Sequence, residues 1–109
     1  MTITRNKIFT IKEIEKTAQK FKKEKKTIVT CNGIFDILRI GHINFLKEAK
    51  SKSDILIIGL NSDKSVRKNK GPNRSINNEL NRAEFLAAFE CINYIVIFYE
   101  KDPRFVINY

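Results

Sequence analysis

An α/β fold in three layers, with helices on both faces of a parallel sheet, is what this chain predicts, and three observations carry the expectation. Thr27 to Cys31 (TIVTC) is β-branched and apolar, the composition of a short buried strand, and it runs into a glycine-bearing loop that opens a helix. Asp54 to Leu60 (DILIIGL) carries an unbroken apolar run instead of alternating, as expected of a strand covered on both faces. Between these strands, apolar residues recur at helical spacing, so strand, helix and strand follow one another as in a right-handed βαβ unit. The length of 109 residues corresponds to one domain, 1–109, with a single core of modest size.

Taken in order, Thr10 to Lys26 reads as an amphipathic helix. Thr10 and Glu13 have the spacing of a capping box, and Ile11, Ile14, Ala18 and Phe21 share one face. The helix ends in Lys22, Lys23, Lys25 and Lys26, which complement the negative pole of its dipole. The Thr27 to Cys31 strand follows, then the loop Asn32 to Gly41 and a helix from about His42 to Lys52, with Ile43, Leu46 and Ala49 marking its buried side. After the Asp54 to Leu60 strand, Asn61-Ser62-Asp63 starts a short helix with Ser62 as N-cap, and Ser65 to Arg74 reads as an electropositive loop. Asn78 to about Glu90 is the next helix, its turns marked by Leu80, Ala83, Leu86 or Ala87, and Phe89 or Glu90. Asn93 to Phe98 is a third strand, stopped by Pro103, and Arg104 to Tyr109 could open a further helix.

Composition narrows the partners. Lys and Arg number 21 against 12 Asp and Glu, a formal net charge of +9, which favours anionic ligands; an excess of Lys, Asn and Ile also follows from nucleotide bias in a genome. Phe35, Phe45, Phe85 and Phe89 fall at positions that read as core, instead of alternating with basic residues, which argues against a nucleic-acid stacking platform. There is no apolar run of membrane-spanning length, and the N-terminus lacks the hydrophobic core of a secretory signal. Cys31 and Cys91 show no metal-ligand spacing, so no metal site is expected, and free thiols suit a reducing cytoplasm.

The loop from Cys31 to His42 (CNGIFDILRIGH) concentrates the chemistry. A strand, a glycine loop and a helix start aim the unpaired N–H groups and positive dipole end of the first helical turn at whatever the loop holds, and a phosphate suits them. Gly33 permits a turn where a side chain would clash, and Gly41 permits close approach of a ligand. A bare strand-to-helix connection with two turn glycines would have the same outline, so the wider string decides.

G-x-F-D-x-L-x-x-G-H followed by N-F-L-K-E-A resembles the signature of the cytidylyltransferase-like nucleotidyltransferases. The further strings I-I-G-L-N-S-D-x-S-V-R, K-G-x-x-R and N-R-A-E-F-L-A-A-F-E-C are similar to the D-glycero-β-D-manno-heptose 1-phosphate adenylyltransferases, which make ADP-heptose for lipopolysaccharide. The resemblance implies a Rossmann-like domain that joins ATP to a sugar 1-phosphate with Mg²⁺ and releases pyrophosphate, in the cytoplasm and often as a homodimer. It assigns His42, Arg39 and Lys70 to catalysis. Gly33, Phe35, Asp36, Gly41, Asn61, Asp63, Arg74 and Arg82 then line the nucleotide and phosphate site.

Three departures accompany it. Arg39 stands where the family has the first histidine of H-x-G-H, keeping charge and donors without titrating near neutrality. Ser75 replaces the usual proline of the basic loop, and Tyr109 falls before the strand and the serine/threonine-rich helix start with which the family continues. On that comparison the domain is C-terminally shortened, and the apolar strand Tyr94 to Phe98 is expected near a sheet edge, where a second copy could pair with it. A non-catalytic nucleotide- or phosphate-binding protein, and a cytidylyltransferase acting on a polyol phosphate, stay open beside the adenylyltransferase.

Overall fold

A computed structural model describes residues 7–33, 35, 40–70 and 78–98. Its elements are β1 (Ile8–Phe9), α1 (Ile11–Lys23), β2 (Ile28–Gly33), α2 (Ile40–Ser51), β3 (Ile55–Asn61), α3 (Asp63–Lys70), α4 (Glu79–Ala87) and β4 (Tyr94–Phe98). The four strands are all parallel, in the order β1-β4-β3-β2. The expected α/β class and parallel sheet are therefore present.

β3 is the reason for the layers. Every residue from Ile55 to Leu60 is buried, with Leu56, Ile57, Ile58 and Leu60 at 0% exposure. Because side chains alternate along a strand, such a segment needs cover on both faces. Leu56, Ile58 and Leu60 join Leu46 of α2, Ala83, Leu86 and Ala87 of α4, Ile92, and Ile95 of β4 in one core. On the other face Ile55 and Ile57 meet Ile14 and Ala18 of α1 together with Ile28, Val96 and Phe98. Ile11 and Phe21 pack against this second core, completing the α1 face expected from its periodicity.

Local signals set most of the ends. The Thr10 hydroxyl accepts the Glu13 N–H at 3.1 Å and the Glu13 carboxylate accepts the Thr10 N–H at 2.9 Å, so the capping box is formed. That hydrogen bond holds the Glu13 carboxyl below its ordinary pKa. The Asn78 side chain accepts from the Asn81 N–H at 2.7 Å and caps α4. At the opposite edge of the sheet, the Asp54 carboxylate takes the Thr27 N–H at 2.8 Å, joining the entries of β2 and β3.

Several expectations are corrected. A short strand, β1, precedes α1; two residues cannot display a periodicity, and only the pairing Ile8↔Ile95 and Phe9↔Val96 reveals it. That pairing puts β4 inside the sheet, between β3 and β1, so the edge position expected for Tyr94 to Phe98 does not hold. α2 starts at Ile40, earlier than expected, so Gly41 and His42 lie inside its first turn. The electropositive stretch is helical as far as Lys70, where a loop was expected from Ser65. In α4 the buried stripe is Arg82, Ala83, Leu86 and Ala87, while Leu80 is 43% exposed: it lies two residues before Arg82, about 200° round the helix. Phe45 and Phe85 are 57% and 59% exposed and are not core residues, whereas Phe35 and Phe89 do pack against the core. No helix among the described residues is long and apolar enough to cross a membrane. The segment from Arg104 lies outside the described residues.

Ile58→Ala should cost about 2–5 kcal/mol of unfolding free energy, the range for emptying a packed core site, measured by urea titration. The Glu13 carboxylate stabilises the fold above the unfolded-state carboxyl pKa, and this contribution disappears as pH falls through its lowered folded-state value. Glu13→Gln should therefore flatten the acid limb of the stability-versus-pH curve.

Candidate functional site

In a parallel sheet the strands end at one edge, and ligands of open α/β folds sit outside that edge. Here Gly33 pairs with Leu60, and Asn61 pairs with Phe98, so β2, β3 and β4 finish side by side. The chain enters α3 directly after β3, and α2 is the helix that follows β2. Both helices therefore present their N-termini to the ligand edge. α4 brings a third, because its first residue is hydrogen-bonded to the first residue of α3.

Phe35, two residues beyond Gly33 at the end of β2, is anchored by its aromatic ring. Phe35 packs on the core shared with α2 and α4, at a backbone φ of 52°, a conformation that bulky residues seldom adopt. A Cβ at Gly33 would lie 2.8 Å from the Phe35 ring, so glycine is required there by the packing of its neighbour. At Gly41 a Cβ would meet nothing within 4 Å; the protein's own packing does not demand glycine at that point of α2. Gly41 and His42 are exposed in the first turn, which contains no acidic residue to oppose an incoming anion. Cys31, on the same strand, is half-buried, and burial raises its thiol pKa.

Asn61 closes β3 and is half-buried. Ser62 is buried, its N–H donating to the Phe98 carbonyl at 2.9 Å and its carbonyl accepting from Val66 at 3.0 Å, which makes it the start of α3 as expected. Asp63 and Arg82, placed together in the expected site, meet each other: an Arg82 Nη2 donor lies 2.8 Å from Asp63 Oδ1, the Arg82 side chain at 0% exposure. A buried guanidinium joined to a carboxylate in this way is committed within the fold, and the pair links β3's exit to α4.

A residue that the sequence did not single out completes the link. The Glu79 carboxylate accepts the Asp63 N–H at 2.8 Å, and Asp63 Oδ2 accepts the Glu79 N–H at 3.0 Å. The only sequence signal for this is an acid in the first turn of a helix, a common occurrence that does not point to a partner. Of the other expected site residues, Asp36, Arg39 and Arg74 lie outside the described residues, and Lys70 is described as the last residue of α3 without its side chain. Among the described residues no group of three or more His, Cys, Asp or Glu could hold a metal ion.

Comparison with known proteins gives the same outline. Residues 30–107 match the model of the Cytidylyltransferase-like family. The chain is 50% identical over 101 residues to the bifunctional protein HldE of Aliarcobacter butzleri (strain RM4018), an alignment covering 93% of this chain and 21% of that protein. It is 51% identical over 83 residues to the bifunctional protein HldE of Geobacter metallireducens (strain ATCC 53774 / DSM 7210 / GS-15), covering 76% of this chain and 17% of that protein. Among solved structures, the lipopolysaccharide core biosynthesis protein from Thermoplasma volcanium GSS1 superposes with a TM-score of 0.63 at 32% identity, over 72% of this chain and 62% of that one. The chain thus spans about a fifth of the length of the first of these HldE proteins. It belongs to the cytidylyltransferase-like family.

Gly33→Ala should lower stability by about 1–3 kcal/mol through overpacking against Phe35. Most of that loss should vanish when the same change is made in a Phe35→Ala background, a coupling that a double-mutant cycle by denaturant titration reads directly.

Proposed function

We propose that this member of the cytidylyltransferase-like family transfers a nucleotidyl group from a nucleoside triphosphate to a sugar 1-phosphate. An oxygen of the sugar phosphate attacks the α-phosphorus in line, the bond from that phosphorus to its bridging oxygen breaks, and pyrophosphate leaves with the electron pair. Such a step needs positioning and compensation of the charge that builds on the leaving oxygens, and no covalent intermediate.

The observation that carries this reading is the exposed first turn of α2, with Gly41 and His42 standing beyond β2 on the ligand edge. Its backbone N–H groups and His42 suit the triphosphate. Lys70 and Arg74 would supply further cations, Arg39 would do so where relatives carry histidine, and Asp36 and Asn61 would orient the loop and the acceptor. Arg82 takes a different part, because its guanidinium is buried against Asp63. Mg²⁺ enters as the counter-ion of the triphosphate, which supplies charge neutralisation on the phosphates. The edge carboxylates described above are occupied with backbone amides and Arg82, and they do not form a ready set of metal ligands.

ATP and heptose 1-phosphate are the substrates we favour. Their support is the string Gly59-Leu60-Asn61-Ser62-Asp63 with Ser65-Val66-Arg67, and the identity to the HldE proteins over most of this chain. Arg39 favours a second reading, a binding protein without turnover, since a guanidinium is larger than the imidazole that the resemblance expects and places its charge differently in a step that depends on positioning.

Calorimetric titration with Mg-ATP and then Mg-CTP separates these. We expect saturable Mg-ATP binding, pyrophosphate release when heptose 1-phosphate is added, and a loss of turnover of about 10²-fold or more in His42→Ala. Turnover that survives His42→Ala unchanged would remove the proposed role of the loop; binding with no pyrophosphate release from any sugar phosphate would leave the non-catalytic reading.

A further inference from the structure

We propose that Glu79 is a positioning residue for the ligand edge: it acts through the backbone of Asp63 and fixes the start of α3 against the start of α4. The proposal rests on the nucleotidyl-transfer reading for its kinetic consequence, and on geometry alone for its structural one.

The geometry is a reciprocal cap. In an ordinary capping box the two partners lie on one helix, three residues apart. Here each carboxylate accepts the first N–H of the other helix, Glu79 from Asp63 at 2.8 Å and Asp63 from Glu79 at 3.0 Å. The second oxygen of Asp63 takes the buried Arg82 guanidinium at 2.8 Å. Two carboxylates side by side would repel; Arg82 and the two positive helix ends offset that repulsion. Neither helix can shift along its axis without giving up hydrogen bonds to charged acceptors, which are the stronger kind.

What the cap holds is the start of α3, and with it the cations that α3 carries. Residues 64–78 contain Lys64, Arg67, Lys68, Lys70 and Arg74 and no acidic residue. The acids Asp63 and Glu79 flank this stretch and are joined to each other at its base. Arg67 is exposed on α3 and Val66 is buried at 2% exposure; the cap, Val66 and the Ser62 N–H bond to the Phe98 carbonyl together hold the start of α3 at the edge. A displacement of its N-terminus would carry Asn61 and the cations of α3 with it. Misplacement of a binding group by about an ångström is enough to cost up to about 10²-fold in a transfer reaction.

The test uses Glu79→Ala, which removes the acceptor, and Glu79→Gln, which keeps an oxygen able to accept the Asp63 N–H. Glu79→Ala should raise KM for Mg-ATP about ten-fold with kcat changed less than about three-fold, and Glu79→Gln should stay within about three-fold of the parent in both. In parallel, native-state trypsin digestion should cut between Lys64 and Arg74 faster in Glu79→Ala than in the parent or in Glu79→Gln. Parent-like KM and parent-like cleavage in Glu79→Ala, with only a lowered Tm, would overturn the proposal and leave Glu79 a stabilising cap. If the parent chain releases no pyrophosphate, the transfer reading is the one that fails; the digestion rates then decide the cap on their own, equal rates overturning it and faster cutting in Glu79→Ala upholding it.

Discussion

Burial of β3 on both faces is the constraint from which the remaining architecture follows. A strand with Leu56, Ile57, Ile58 and Leu60 all at 0% exposure cannot face water, and no single layer can cover it. α1 supplies one cover, through Ile14 and Ala18; α2 and α4 supply the other, through Leu46, Ala83, Leu86 and Ala87. Helices that connect parallel strands must return from the carboxyl edge to the amino edge, so they start where the strands end. The gathering of helix starts at that edge is thus a consequence of the core.

The helix starts collected there are not equivalent. α3 and α4 begin with Asp63 and Glu79, whose carboxylates take one another's backbone N–H groups. α2 begins Ile40-Gly41-His42, with no acid in its first turn and with Gly41 and His42 exposed. An anion arriving at the edge therefore meets internal compensation on one side. On the other, the first turn of α2 contains no acidic residue to oppose it.

Strong local signals were legible in the sequence. The Thr10–Glu13 box and the unbroken β3 run each arise from neighbours within a few residues, and each is found where its pattern lies. What escaped depends on long-range pairing. β1 has two residues and exists because β4 offers it an edge; β4 is interior for the same reason. Phe45 and Phe85 read as core by type, yet lie exposed, because residue type does not state the phase of a helix against its sheet. The partner of Arg82 was likewise out of reach: the resemblance groups it with Asp63 at the site, and only the folded chain shows the guanidinium at 0% exposure with Asp63 Oδ1 2.8 Å from it.

Apolar packing holds both α2 and α4 against β3, through Leu46 on one and Ala83, Leu86 and Ala87 on the other, and Lys50 of α2 adds a hydrogen bond to the Asn93 side chain at 2.9 Å. What sets the starts of α3 and α4 apart is that they are also joined to each other, by directional hydrogen bonds to carboxylates and by one buried ion pair. Such a pair adds little net stability over a well-packed apolar substitute, since desolvation consumes most of its attraction. What it adds is geometry: an apolar replacement could hold the helices together, but it could not specify which residue of α3 lies opposite which residue of α4. Register of this kind is what the proposed transfer between two phosphorylated reactants would ask of this edge. The cost of burying Arg82 goes toward holding that register.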